Sequence, residues 1–302
     1  LQKRIGVIRH ILIFVVLVFP LAACGGQPGS DSGSVAPVVL TSTTFLADIT
    51  RNIAGERVQV ESLLPIGMDP HSYQATPQDI AKLSESKLVI INGAQYEQFL
   101  TPWLESTNRK TTLIEASTGL DPKRDANAVD PHMWLDPNLV VTYVENIREA
   151  LTHLDPAGEA FYISNADAYI AELKKLDAWI MEQVNQIPPE KRLLVTNHEA
   201  FGYFAERYGF TIVGTVIESF SSDASPSAQQ LAALIDQIQS SRAPAIFLDA
   251  SDNPTLAQQI ADETGVRVVT DLHLESLTDG APAATYIDMM EHNVTQIVNA
   301  LK

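Results

Sequence analysis

The tripeptide Asp-Pro-His occurs twice in this chain, as Asp69-Pro70-His71 and as Asp130-Pro131-His132. Imidazole is the commonest borderline metal ligand. Pro70 and Pro131 fix φ just ahead of each ring, which lowers the entropy lost when that ring is held. A third histidine, His198, follows the strand-like run "RLLVT". All three come after strand-like sequence and before a helix start. In open α/β sheets the loops at the carboxyl ends of strands hold the ligand site, so three such rings can converge in one cleft. Three converging imidazoles imply Zn2+, Mn2+ or Fe2+. The separations of 61 and 66 residues match no compact motif, so the chemistry depends on the fold. Asp69 and Asp130 have two readings: they accept a ring N–H beside the metal, or they only shape a turn. Trp134 either packs beneath the second loop or serves the core.

The elements that must position these rings alternate. "VVLTST", "VQVESLLP", "KLVIIN" and "TTLIEAS" read as strands, separated by helical stretches. Phe45, Leu46, Ile49 and Ile53 lie on one helical face ending at Gly55, and Thr76 caps a helix with Pro77 first and Asp79 in its first turn. "YEQFLTPWLEST" reads as a helix interrupted near Pro102, and Asp136-Pro137 starts another. From Asp155 to Pro188 apolar residues recur every three to four positions without a breaker after Gly158, which predicts one helix of about 28 residues, against a usual 11–12. The βα rhythm then restarts, with Ser225-Pro226 capping the helix "SAQQLAALIDQIQSS". This pattern predicts an α/β fold: two similar α/β lobes with parallel sheets joined by one long bridging helix, with the metal site in the interlobe cleft. The expected boundaries are residues 36–154, 155–188 and 189–302.

Of the remaining histidines, His10 falls in an apolar leader. His153 and His292 are expected late on helices, in structural or solvated roles. Composition narrows the partners. The chain has 302 residues, 45% of them hydrophobic, and a net charge of −17. Such an acidic surface repels phosphate backbones and anionic lipid, which argues against nucleic acid as a partner. Lys3, Arg4 and Arg9 precede the 13-residue apolar run Ile11 to Ala23, too short for a span of about 20 residues. That is the pattern of a signal peptide over residues 1–23, whose removal would take the charge to −20. "LAAC" resembles the lipobox of bacterial lipoproteins, which implies acylation of Cys24, the only cysteine. Residues 24–35, rich in Gly and Ser, read as a flexible tether.

The motifs "GMDPHSYQATPQDIAKL", "DPHMWLDP", "VTNHEAFGYFAERYG" and "TYIDMMEHNV", in that order, resemble the metal-binding solute-binding lipoproteins of bacterial ABC importers, the cluster A-I or ZnuA/TroA-like family. The resemblance spans essentially the whole chain after the leader. It implies His71, His132 and His198 as successive ligands and an acidic fourth ligand between the last strand and the last helix. Within "TDLHLESLTDG", Glu275-Ser276 fits that place best, Asp271 is the runner-up and Asp279 comes third; His273 is a possible extra ligand. Manganese-type members often carry Glu where this chain has His198. Three imidazoles and one carboxylate suit tetrahedral Zn2+, with Zn–N of about 2.0–2.1 Å, so zinc is favoured over manganese or iron. The chain departs from many zinc-type members in having no His-rich loop between His71 and His132.

The resemblance further implies an exported monomer, attached through its lipid to the outer face of the bacterial cytoplasmic membrane or held in the periplasm. Its partner would be a membrane permease. A surface adhesin on the same fold is a second reading, and a zinc hydrolase a third. The last is disfavoured because His198-Glu199 would need a histidine at position 202, where Gly202 stands. Asp249 and Glu218, each just after a strand, carry no expected role beyond structure.

Overall fold

Short apolar runs build the first sheet. The computed structural model describes residues 37–105, 111–125 and 128–302. The expected leader, Cys24 and the tether lie outside the described residues. Strand β1 (Val38–Thr41) leads through the N-cap Thr43 into α1 (Thr44–Ala54), whose buried face is Phe45, Leu46, Ile49 and Ile53. Gly55 ends α1 at φ 53°, a left-handed value glycine adopts without strain. β2 (Gln59–Ser62) follows, then α2 (Pro77–Glu85), where Thr76 and Asp79 form a reciprocal capping box. β3 (Leu88–Ile91), the short α3 (Thr101–Leu104) and β4 (Thr112–Glu115) complete this lobe's sheet. The strands run parallel in the order β2-β1-β3-β4.

A two-residue antiparallel pair, β5 (Arg124–Asp125) with β6 (Ala128–Val129), then delivers the second Asp-Pro-His. Sequence periodicity gave no sign of this pair, because two residues are too few to show alternation. Helix α4 (Pro137–Leu154) starts at the N-cap Asp136, whose carboxylate accepts from Asn138 N. After one 3-10 turn comes α5 (Glu159–Val184), 26 residues long. Its buried stripe of Tyr162, Ala166, Tyr169, Leu173, Leu176, Ile180 and Val184 follows the expected spacing. Gly158 precedes it, where a Cβ would collide with the Tyr162 ring and the Arg57 guanidinium.

The second sheet uses β7 (Leu193–Thr196), α6 (Gly202–Tyr208), β8 (Thr211–Thr215), α7 (Ala228–Ser241), β9 (Ala245–Asp249), α8 (Thr255–Thr264), β10 (Arg267–Leu272) and α9 (Tyr286–Leu301). Its strands are parallel in the order β10-β9-β7-β8. The N-cap of α7 is Ser227, which accepts from Gln230 N, rather than the expected Ser225: the reciprocal Ser227–Gln230 capping box satisfies two backbone donors at that position. α6 begins only at Gly202, which leaves His198 to Phe201 outside the helix as the site loop.

The central strands β3 and β9 are buried along their whole length, as expected when both faces of a sheet are covered, and successive side chains enter different cores. In β3, Leu88 and Ile90 face one core while Val89 and Ile91 face another. In β9, Ala245 and Phe247 join the first core, while Ile246 and Leu248 point into a third. The first core is shared: it takes residues from α1, α4, α5, α6 and α9 and from both sheets. α5 packs on α1, α4 and α9. Its Asp177 carboxylate binds Asn138 of α4 and both Arg207 and Tyr208 of α6. Among the described residues, no helix is long and apolar enough to cross a membrane.

Candidate metal centre

Both Asp-Pro-His segments make the same local turn. Asp69 Oδ1 accepts from His71 N at 2.8 Å, and Asp130 Oδ1 accepts from His132 N at 3.0 Å. This settles the turn reading for both aspartates. The ring-holding reading applies only to Asp130, whose Oδ1 also lies 2.9 Å from His132 Nδ1. With Nδ1 so occupied, His132 Nε2 points to the cleft. Trp134 is fully buried in the core, with its ring 5.2 Å from that of His132. Its ring stacks on Phe45 at 4.6 Å, and its Nε1 donates to the Leu274 carbonyl at 2.8 Å.

His198 leaves the carboxyl end of β7, and its carbonyl accepts from Thr196 Oγ1. Gly202, four residues on, is required by Asp130: a Cβ there would lie 2.7 Å from Asp130 Oδ2. The same glycine that removes the helical zinc-hydrolase motif therefore makes room for the carboxylate behind His132. Glu275 sits in the loop after β10. Asp249, at the end of β9, accepts from the backbone N–H groups of Leu274 and Glu275. Asp249 thus anchors this loop, a role not apparent in its sequence context. On the far side, Ser276 Oγ accepts from Gly67 N at 2.8 Å, and Leu277 N donates to Thr44 Oγ1 at 2.9 Å. These bonds tie the loop to the first lobe.

The structure brings His71, His132, His198 and Glu275 together. Glu275 Oε1 is 3.4 Å from His132 Nε2, 3.4 Å from His198 Nε2 and 3.7 Å from His71 Nε2. The His132 and His198 Nε2 atoms are 3.3 Å apart. Four donors on a tetrahedral ion at about 2.0–2.2 Å would be separated by about 3.3–3.6 Å. All four side chains are at most 7% exposed. His71 Nε2 and Glu275 Oε1 are buried with no hydrogen-bond partner, which buried polar atoms rarely tolerate unless something else satisfies them. The other carboxylate oxygen, Oε2, is held by the Tyr96 hydroxyl. Tyr96 was not singled out in the sequence, and no local pattern marks it.

The charges interlock. Burial alone would push the Glu275 carboxyl up, yet His132, His198 and His71 hold it well below the usual range. Burial would lower His132, but Asp130 and Glu275 raise it to about 9. Burial lowers His198, and the adjoining His132 adds to this against Glu275. A cavity of about 110 Å3, lined by His71, Tyr96, Pro131 and Ser219 to Ser221, adjoins the cluster.

Asp271 lies apart from these four, grouped instead with His273 and His292. His292 is in the middle of α9 rather than near its end. Asp279 lines a separate surface pocket with Ser276 and Asp249. Glu218 accepts from Gln230 Nε2.

Residues 39–300 match the family model described as ZnuA, zinc-uptake complex component A, periplasmic. The manganese-binding lipoprotein MntA of Halalkalibacterium halodurans is 35% identical over 294 residues, covering 95% of this chain and 97% of MntA. Among solved structures, the periplasmic zinc-binding protein TroA of Treponema pallidum superposes with a TM-score of 0.82 at 30% identity. That match covers 88% of this chain and 99% of TroA. The Mn-bound periplasmic metal-binding protein of Candidatus Liberibacter asiaticus matches with a TM-score of 0.78 at 31% identity, over 88% of this chain and all of its own.

Proposed function

The chain belongs to the ZnuA family of periplasmic zinc-uptake components, and from that membership we propose that it captures a divalent transition metal, Zn2+ in preference to Mn2+ or Fe2+, and passes it to an ABC permease. At the coarser level it is a metal-binding substrate-binding protein of an ABC importer. His71, His132, His198 and Glu275 are the proposed ligands. Residues 1–23 as leader, Cys24 as lipid anchor, residues 24–35 as tether and a monomeric state belong to the same proposal, which places the protein on the outer side of the cytoplasmic membrane.

One observation carries the preference for zinc. Tyr96 engages Glu275 Oε2, so only Oε1 faces the three imidazoles. A carboxylate limited to one oxygen favours four-coordination, which suits Zn2+; Mn2+ prefers more oxygen donors and a larger sphere. The name of MntA supports manganese as the alternative. Four protein donors fill a tetrahedral sphere and leave no place for an activated water, as suits a carrier rather than a hydrolase.

Competitive titration of the metal-free chain with Zn2+ and Mn2+ tests the reading. Tight one-to-one Zn2+ binding, with Mn2+ much weaker, is expected. Tyr96→Phe frees Oε2 and should narrow the gap by favouring Mn2+. Equal affinity for the two ions in the unaltered chain would overturn the preference, and retention of tight binding in His198→Ala and Glu275→Ala would overturn the ligand set.

A further inference from the structure

The loop that carries Glu275 begins with two further metal-capable side chains. Asp271 is the penultimate residue of strand β10, His273 is the first residue beyond the strand, and both lie near His292 of α9. His292 Nε2 is 3.3 Å from Asp271 Oδ2, and His273 Nε2 is 3.8 Å from Asp271 Oδ1. The two imidazole rings are 5.4 Å apart, centre to centre. His273 Nε2 is buried and has no hydrogen-bond partner. The two ring side chains are only 12% and 13% exposed, while Asp271 is 59% exposed. The group is therefore a pair of sheltered nitrogens with a carboxylate on the solvent side.

The backbone here is fixed before any ligand arrives. The Asn293 side chain clamps His273 from both sides, accepting from its N–H at 2.8 Å and donating to its carbonyl at 2.6 Å. Leu272 and Leu274, on either side, are buried. His273 thus has little freedom to leave the position in which its Nε2 is unsatisfied. His292 comes from a helix packed against β10. A strand end and a helix middle, both rigid, supply the donors, and such preorganisation lowers the cost of binding an ion.

We propose that Asp271, His273 and His292 form a second divalent-metal site, separate from the central cluster, that takes an imidazole-preferring ion such as Zn2+. One ligand atom from each of the three side chains lies within 4.8 Å of the other two, close enough to share one ion as three of its ligands, and solvent water supplies the fourth. The site is weaker than the central one for two reasons. It has one protein donor fewer. In addition, His292 Nε2 lies 2.7 Å from the Asp271 carbonyl oxygen, a hydrogen bond that an ion has to displace. Nickel and copper would bind the same set, because imidazole serves them as well.

The test is to dialyse the metal-free full chain against a series of buffered free Zn2+ levels and count bound zinc per chain. One ion should bind at low free Zn2+ and a second at a level about a hundredfold or more higher, the gap expected when one ligand is replaced by water. Asp271→Asn and His292→Gln should each remove the second step and leave the first where it was. The glutamine amide keeps a donor for the Asp271 carbonyl, so a folding defect is not expected to imitate the loss. The double variant His71→Ala/His198→Ala should lose the first step and keep the second, which separates this site from the central reading. A single ion per chain at every Zn2+ level, or a second ion that persists in both Asp271→Asn and His292→Gln, would overturn the proposal.

Discussion

The two Asp-Pro-His loops share three residues and a backbone turn, yet they hold their histidines in different ways. His132 is wholly buried, with Asp130 bound to both its backbone N–H and its ring. At His71, Asp69 holds only the backbone N–H. Its second oxygen accepts from Ser222 Oγ at 2.7 Å, a bond from the first lobe to the loop after β8. One ring is thus held by the aspartate of its own loop. The other has its aspartate tied to the opposite lobe, so its ligand position depends on how that contact stands. A local motif sets the turn; the tertiary surroundings decide whether the aspartate supports a ring or a lobe contact.

The comparison can be broken most directly at the rings. His132→Ala should weaken metal binding by about 4 kcal/mol, near a thousandfold, and should also destabilise the metal-free protein by about 2 kcal/mol, because Asp130 is left buried without its partner. His71→Ala should weaken binding as well but shift metal-free stability by less than about 0.5 kcal/mol. Calorimetric titration and denaturant unfolding of both variants measure this; equal stability losses would erase the distinction.

The aspartates come next. Asp130→Asn should cost about 10–100-fold in affinity, the usual consequence of removing a carboxylate behind a ligating imidazole. Asp69→Asn keeps an oxygen for the turn and should cost no more than a few-fold. Losses of the same size at both positions would mean that the shared turn, not the ring contact, is what matters.

Proton competition follows from the same asymmetry. Asp130 and Glu275, working against burial, raise His132 to about 9, so at pH 7 the metal-free ring is protonated and the ion must displace that proton. Affinity should therefore rise about tenfold per pH unit between 7 and about 9 and level off above, with one proton released per ion at pH 7. Asp130→Asn lowers the pKa of His132 and should flatten that slope. An effect of the same small order as that of Asp69→Asn is expected for Ser222→Ala, which removes one neutral-to-charged hydrogen bond. It should weaken binding by about 1 kcal/mol, roughly fivefold, chiefly through faster release in stopped-flow chelation.

Much of this architecture was legible in the sequence because its signals are local. Strand runs, the Thr76 and Asp136 caps and the seven-residue buried stripe of α5 all follow from periodicity and capping chemistry. The three histidines stood out by type and by their place after strand-like sequence, although His132 in fact follows the small β5–β6 pair rather than a strand of the main sheet. Glu275 came forward only through the family resemblance, since a single glutamate in a loop has no periodic signature. Long-range partners left no trace. Tyr96 lies 179 positions from Glu275, and Asp249 reaches the Glu275 loop from a neighbouring strand. The sequence context offers Asp271 and His273 as alternative ligands for the central cluster, whereas their nearest partner is His292, brought close by the packing of α9 on β10.

The core shared by α1, α4, α5, α6 and α9 has a consequence for the lifetime of the protein. Because both sheets rest on the same packed side chains, neither lobe can melt alone without exposing the apolar surface of the other, and a single heat-absorption peak is expected on unfolding. An ion bound at one small cluster then stabilises the entire chain by RT ln(1 + [L]/Kd). Protease attack that depends on global unfolding slows at every cleavage point at once, so a loaded molecule outlasts an empty one along its whole length.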